Sequence, residues 1–264
     1  MSDRLRISVR GQGPELVLLH GWAMNSGIWG GLVDLLATDF RVHLVDLPGH
    51  GVNQHIALSP DLNEVTELIM SELPAAIWMG WSLGGLVALN AAMLRPHSVQ
   101  KTILIAATPC FSAKTDWDCG VGENQQQAFA NGLGHDLVGT LDQFYVQTFG
   151  TAGVEEALHR LGRSVCADNV PTLSTMHTGL DLLYRYDLRA GLAHCRVPAL
   201  YIGGTRDRTI QPKTFERAAA LMPKASSCLI RGASHAPFIS HQERFLDLIK
   251  GFVMQEHMLE QQRS

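Results

Sequence analysis

Charged side chains are scarce in this chain. Asp, Glu, Lys and Arg make up 17% of its 264 residues, and no block of Lys and Arg stands out. A phosphate backbone would find nothing to neutralise it, so no nucleic-acid partner is expected. Cysteine is also sparse. Cys110, Cys119, Cys166, Cys195 and Cys228 are odd in number, scattered and never in a CxxC pair. That excludes a disulfide framework and a thiolate zinc site, and it fits a reducing, cytoplasmic setting. The opening MSDRLRISVR carries charges where a secretion signal needs its apolar stretch, so no leader is expected. Repeats and low-complexity linkers are lacking. So is the polar bias of a disordered chain, since 46% of residues are apolar and the formal charge is only −4. A chain of this size buries roughly 70–75% of the surface its unfolded form exposes.

One long charge-free run is present, between Glu72 and Arg95. Its length suits a membrane span, but Pro74, Gly80, Ser82, Gly84, Gly85 and Asn90 interrupt it. A buried strand, a tight turn and a buried helix explain the run better, and no membrane partner is expected. Elsewhere, continuous apolar runs at 16–19, 42–47, 76–79, 102–106 and 199–202 read as strands covered on both faces. Residues 4–9 alternate as a half-buried edge strand would, and 227–230 is a shorter candidate. Helical stretches fall at 62–73, 84–94, 214–221 and 243–253. Such alternation predicts an α/β fold with a mostly parallel sheet and helices on both sides.

The alternation breaks once. Residues 111–189 hold no convincing buried strand and read as several helices, a cap inserted between core segments 1–110 and 190–264. Between Phe111 and Cys195 there are five basic and ten acidic side chains, so the acidity of the chain sits there.

Gly80-Trp81-Ser82-Leu83-Gly84 is a GxSxG motif between a predicted strand and a predicted helix. The serine of such a turn occupies strained backbone, and the flanking glycines let neighbouring chain approach. A serine hydroxyl needs a base. His235, on the loop after the last strand candidate, fits that role. His241 is the nearest competitor but lies closer to the last helix, and His97 reads as a turn residue. Asp207, just past the strand at 199–202, is placed to orient the imidazole; a helix cap or a surface ion pair with Arg206 or Arg208 is the competing role. The order Ser82, Asp207, His235 is that of α/β-hydrolases. Two backbone amides should stabilise the oxyanion, that of Leu83 after the nucleophile and that of Trp22 after the first buried strand. No metal or organic cofactor is expected.

These motifs resemble a known family. LLHGW at 18–22, LVDLPGHG at 44–51, GxSxG and HAPF look like α/β-hydrolases of the carboxylesterase type. WMGWSLGGLVA at 78–88, TPCFSA at 108–113 and HAPFISH at 235–241 are similar to the pimeloyl-acyl carrier protein methyl ester esterases of biotin synthesis. The resemblance implies hydrolysis of a methyl ester on an acyl chain held by an acyl carrier protein. It further implies that Phe144, Tyr145, Val146, Gln147 and Thr148 line the acyl channel, although packing of cap on core explains Phe144 and Tyr145 equally well. A broad short-chain carboxylesterase or a carbon–carbon bond hydrolase would use the same triad, because substrate choice lives in the cap. A dehalogenase or epoxide hydrolase of this fold would carry Asp in place of Ser82, and a non-catalytic relative would be expected to lack a triad member.

One departure from the family concerns the partner. Acyl carrier proteins are acidic, so a docking surface should be basic, and the resemblance implies several arginines in the cap. Here residues 134–156 hold no Lys or Arg. Arg160, Arg163, Arg185 and Arg189 are the cap arginines left to form a patch.

Overall fold

The computed structural model of the chain describes residues 4–150 and 170–261. Seven strands form one sheet: β1 Ile7–Arg10, β2 Glu15–Leu19, β3 Arg41–Val45, β4 Ala76–Trp81, β5 Val99–Ile105, β6 Ala199–Gly204 and β7 Ala225–Ile230. Their order is β1-β3-β2-β4-β5-β6-β7. β1 runs antiparallel to β3, and every other pairing is parallel. The predicted α/β architecture, a mostly parallel sheet between helical layers, is the one observed.

The continuous apolar runs follow from burial on two faces. In β2, Val17 and Leu19 enter one core while Leu16 and Leu18 enter the other. In β4, Ala76 and Trp78 face the first core, and Ile77, Met79 and Trp81 the second. The first is covered by α2 Leu62–Met70, α3 Leu83–Leu94 and α8 Lys213–Ala219, and the second by α1 Leu32–Leu36 and the start of α10 Gln242–Gln261. Truncating a large side chain in either layer should cost about 2–5 kcal/mol. β7 reads weakly because it is the edge strand, and its Ser226, Ser227 and Leu229 are exposed.

The charge-free run resolves into β4 and α3. Ten of the twelve α3 residues are buried. Asn90 is tolerated there because its amide donates to Thr66 Oγ1 and Asn63 Oδ1, each at 3.0 Å. Among the described residues, no helix is long and apolar enough to cross a membrane.

Between β5 and β6 the chain forms α4 Glu123–His135, α5 Leu137–Phe149, α6 Leu173–Arg185 and α7 Arg189–Leu192. No strand of the sheet falls among the described residues there. Asp136 caps α5 by accepting from the Gly139 amide at 3.0 Å, and Thr172 caps α6 by accepting from Thr175 at 3.1 Å. A one-turn helix, α9 Pro237–Ser240, follows β7. The chain passes from β2 to β3 on one side and then to β4 on the other, so the C-terminal ends of β2 and β4 flank a topological switch point, where open α/β sheets leave a crevice.

Candidate active site

Ser82 sits in the turn from β4 to α3 with φ 54° and ψ −113°, a region costly for any residue with a Cβ. The neighbours enforce it. A Cβ at Gly80 would stand 2.2 Å from the Gly84 carbonyl oxygen, and one at Gly84 would stand 2.3 Å from the Leu19 oxygen. Only glycine lets helix, strand and turn close on each other this tightly. The Ser82 amide donates to the Ile105 carbonyl at 2.9 Å, which ties the turn to β5.

Asp207 follows β6 and is fully engaged. Its Oδ1 accepts from the Thr209 and Ile210 amides at 2.8 and 2.9 Å. Its Oδ2 accepts from His235 Nδ1 at 2.8 Å, with the two side chains 0% and 1% exposed. The competing role for Asp207, an ion pair with Arg206 or Arg208, is not found among the described residues. His235 is held from both sides of its backbone. Its amide donates to the Thr148 carbonyl at 3.1 Å, and its carbonyl accepts from the Trp81 indole at 2.9 Å. Because Nδ1 donates to the carboxylate, Nε2 is left as the basic nitrogen. Among the described residues Asp207 is the sole hydrogen-bond partner of the His235 ring, so no hydrogen bond joins the ring to Ser82. His241 takes no part in this cluster: its Nδ1 is paired with Ser240 Oγ at 2.9 Å on the surface.

The loop after β2 brings a second group of donors. Neither the Trp22 nor the Leu83 backbone amide has an acceptor among the described residues. His20 Nε2 accepts from the Leu47 amide at 2.9 Å, so Nδ1 carries the proton and donates to the Gly21 carbonyl at 2.8 Å. That bond fixes the Gly21–Trp22 peptide plane, and burial pushes the His20 pKa down, keeping the ring neutral. Ala23, next along, is strained at φ 56°. The Trp22 indole donates to the Met176 carbonyl at 2.8 Å, and its ring meets Phe129 and Phe144 edge-on. One residue therefore joins the sheet edge to α4, α5 and α6.

Ser82 opens into a cavity of about 630 Å³ between the sheet edge and these helices. Its walls include Phe111, Phe129, Leu180 and Leu183, with Gln125, Gln143 and Gln147 among the polar groups. The five consecutive residues expected along the channel divide by helical geometry. Phe144 and Gln147 line the cavity together with Thr140 and Gln143, one stripe at helical spacing. Tyr145, Val146 and Thr148 do not line it. Tyr145 packs against Phe149 in the second core, Val146 is partly exposed at 38%, and Thr148 is buried with its carbonyl on His235. A continuous pentapeptide of a helix cannot present every side chain to one cavity. The stripe at 140, 143, 144 and 147 was readable from its spacing. Arg208 and Thr209, which also line the cavity, were not, because nothing local distinguishes them from ordinary loop residues.

Of the basic patch expected for a partner, Arg160 and Arg163 lie outside the described residues. Arg185 is exposed. Arg189 is committed elsewhere: it pairs with Asp116 at 2.9 Å and Asp187 at 2.7 Å and stacks over Trp117. It is not free for docking, which corrects that part of the expectation.

Comparison with known proteins agrees with this architecture. Residues 16–248 match the model of the alpha/beta hydrolase family. A pimeloyl-[acyl-carrier protein] methyl ester esterase of Xanthomonas campestris pv. campestris is 41% identical over 250 residues, 94% of this chain and 98% of the relative. One of the same name from Xylella fastidiosa is 38% identical over the same shares. Among solved structures, a hydrolase from Oleispira antarctica superposes with a TM-score of 0.86 over 96% of each chain at 19% identity, a likeness of fold. The glycine-bracketed serine turn, the carboxylate–imidazole pair on the neighbouring strand ends and the match over most of the sequence place this chain in the α/β hydrolase family.

Proposed function

We propose that this chain is a serine carboxylesterase that hydrolyses the methyl ester of a pimeloyl chain carried on acyl carrier protein, yielding the free acid and methanol for biotin synthesis. The observation that carries this reading is the 41% identity, over 94% of the chain, to esterases of that name. The cavity supports it. A volume of about 630 Å³ with Ser82 in its wall accommodates an extended acyl chain, and its apolar surfaces suit methylenes.

In the proposed reaction the Ser82 hydroxyl attacks the ester carbonyl while His235 Nε2 takes its proton. Negative charge develops on the carbonyl oxygen and is stabilised by the Leu83 and Trp22 amides. The start of α3 lies beside it, so the helix dipole favours the same charge. His235 returns the proton to the departing methoxide, leaving an acyl-serine. A water molecule, deprotonated by His235, then attacks that acyl group, and collapse of the second tetrahedral intermediate returns the proton to Ser82 and releases the acid. Asp207 holds the imidazole in the required tautomer throughout and stabilises its charged form.

The test is growth of a biotin-requiring strain that lacks its own esterase of this type, carrying this chain or its Ser82→Ala variant. Growth without biotin that depends on Ser82 supports the reading. Failure to grow, with good expression and rapid hydrolysis of p-nitrophenyl acetate by the purified protein, would favour the broad short-chain esterase.

A further inference from the structure

The helices over the cavity are a poor landing site for an acidic partner. Their described surface bears Glu123, Asp136 and Asp142 along α4 and α5, and no Lys or Arg occurs in either helix. The cations lie instead on the strand ends beside the triad. Among the described residues Arg208 is the only charged one lining the Ser82 cavity, and its side chain is exposed. Arg206 precedes the catalytic carboxylate by one residue, and its amide donates to the Ala233 carbonyl at 2.9 Å. Arg231 directly follows β7, where the Gly232 amide donates to Thr205 Oγ1 at 2.9 Å. Both side chains are exposed. None of the three has a carboxylate partner among the described residues, whereas Arg189 and Arg217 are each tied to aspartates. Segments 203–212 and 225–241 contain one acidic residue, Asp207, which is buried and consumed by His235 and two amides. Beside Arg208, Thr209 lines the same cavity, and its hydroxyl is buried and without a partner among the described residues.

From this arrangement we infer that Arg206, Arg208 and Arg231 form the docking rim for an acidic carrier protein, whose acyl-bearing arm enters the cavity past Arg208 and Thr209. Among the described residues the rim is an edge of the cavity where positive charge is uncompensated, and it takes the place of the cap arginines that the family resemblance implies. Charge complementarity of this kind acts on encounter and orientation more than on the chemical step. Arg208 sits where the arm must pass, so it also meets the arm's phosphodiester as that group approaches the mouth, and the Thr209 hydroxyl supplies a hydrogen bond just inside.

The inference rests on the carrier-linked reading above, and the experiment separates the two. Purified wild type, R206Q/R231Q, R208Q and the triple variant are assayed on methyl pimeloyl carrier protein and on free dimethyl pimelate. The wild type should prefer the carrier-linked ester. The triple variant should lose about tenfold or more of that preference, measured as the ratio of the two kcat/KM values, with the loss in KM for the carrier substrate. In about 1 M salt, where the screening length is about 3 Å, wild type and triple variant should converge. A wild type without preference for the carrier-linked ester would overturn the functional reading and the rim together. A wild type with that preference, matched by an unchanged triple variant, would overturn the rim alone. Circular dichroism of each variant identifies any that misfold, and for those the Arg→Lys replacements, which retain charge, should keep the preference.

Discussion

At the scale of single residues, the candidate site was legible wherever one side chain had to occupy one unusual environment. Ser82 could be found because its strained turn demands glycine on either side, and the collisions a Cβ would meet at Gly80 and Gly84 are the physical form of that demand. That Asp207 and His235 meet could be anticipated from their places after strands. What the sequence could not reveal was that Asp207 spends its other oxygen on two amides of its own loop. That detail carries a prediction. Asp207→Asn offers an oxygen to those amides only by turning its NH₂ toward His235 Nδ1, which then becomes an acceptor and moves the ring proton to Nε2. Turnover should fall about 10³–10⁴-fold while the thermal midpoint moves little; steady-state kinetics and calorimetry on one preparation check both. Ser82→Ala removes the proposed nucleophile, and a loss of about 10⁴–10⁶ in turnover is expected. The same variant should fail to react with a fluorophosphonate probe. Labelling of Ser82→Ala at another serine with esterase activity retained would remove Ser82 from the mechanism.

At the scale of elements, apolar runs marked the strands that are covered twice and blurred the one that is not. β7 exposes half of its side chains at the sheet edge, and the short helix α1 has only three buried residues, so neither carries much periodic signal. The polar character of α4 hid its role, since just Leu133 is fully buried on that helix. The contact between α3 and β2 was implied by GxSxG but its consequence was not. Gly84 lies against the carbonyls of both Leu19 and His20, and those residues lead directly into the loop holding the Trp22 amide. Gly84→Ala must therefore push α3 away from β2 and separate the two expected oxyanion donors. Stability should fall by about 1–3 kcal/mol, with a larger proportional fall in kcat; urea titration beside kinetics distinguishes the two effects. A second element-scale feature clasps the entry to the inserted helices. Trp117 stacks with the guanidinium groups of both Arg189 and Arg217, which pair with Asp116, Asp118 and Asp187. Arg189→Ala removes a stacking partner and two ion pairs at a site where the side chain is 17% exposed. A loss of about 1–2 kcal/mol is expected, shrinking in high salt.

At the scale of the whole molecule, two buried imidazoles link stability to pH. His20 and His50 are both fully buried, with ring centroids 5.2 Å apart. Burial lowers the pKa of each, and the two rings repel if both are charged; for His50 the value is pushed down to about 3. The unfolded chain takes up these protons near pH 6.5, whereas the folded chain takes them up only at lower pH, for His50 only near pH 3. Each group therefore destabilises the fold as pH falls below about 6.5, by up to about 1.4 kcal/mol per pH unit. The lowered carboxylates Asp39, Glu72 and Asp118 act in a different window, because they are ionised in folded and unfolded chains alike above about pH 5. Between pH 6.5 and 5 the slope thus reports mainly on histidine. Urea midpoints should drop across that interval, and His50→Asn, which can still donate to the Pro48 carbonyl that His50 Nδ1 reaches at 2.9 Å, should flatten the dependence. Parallel pH curves for wild type and variant would show that the His50 ring is protonated in the folded chain.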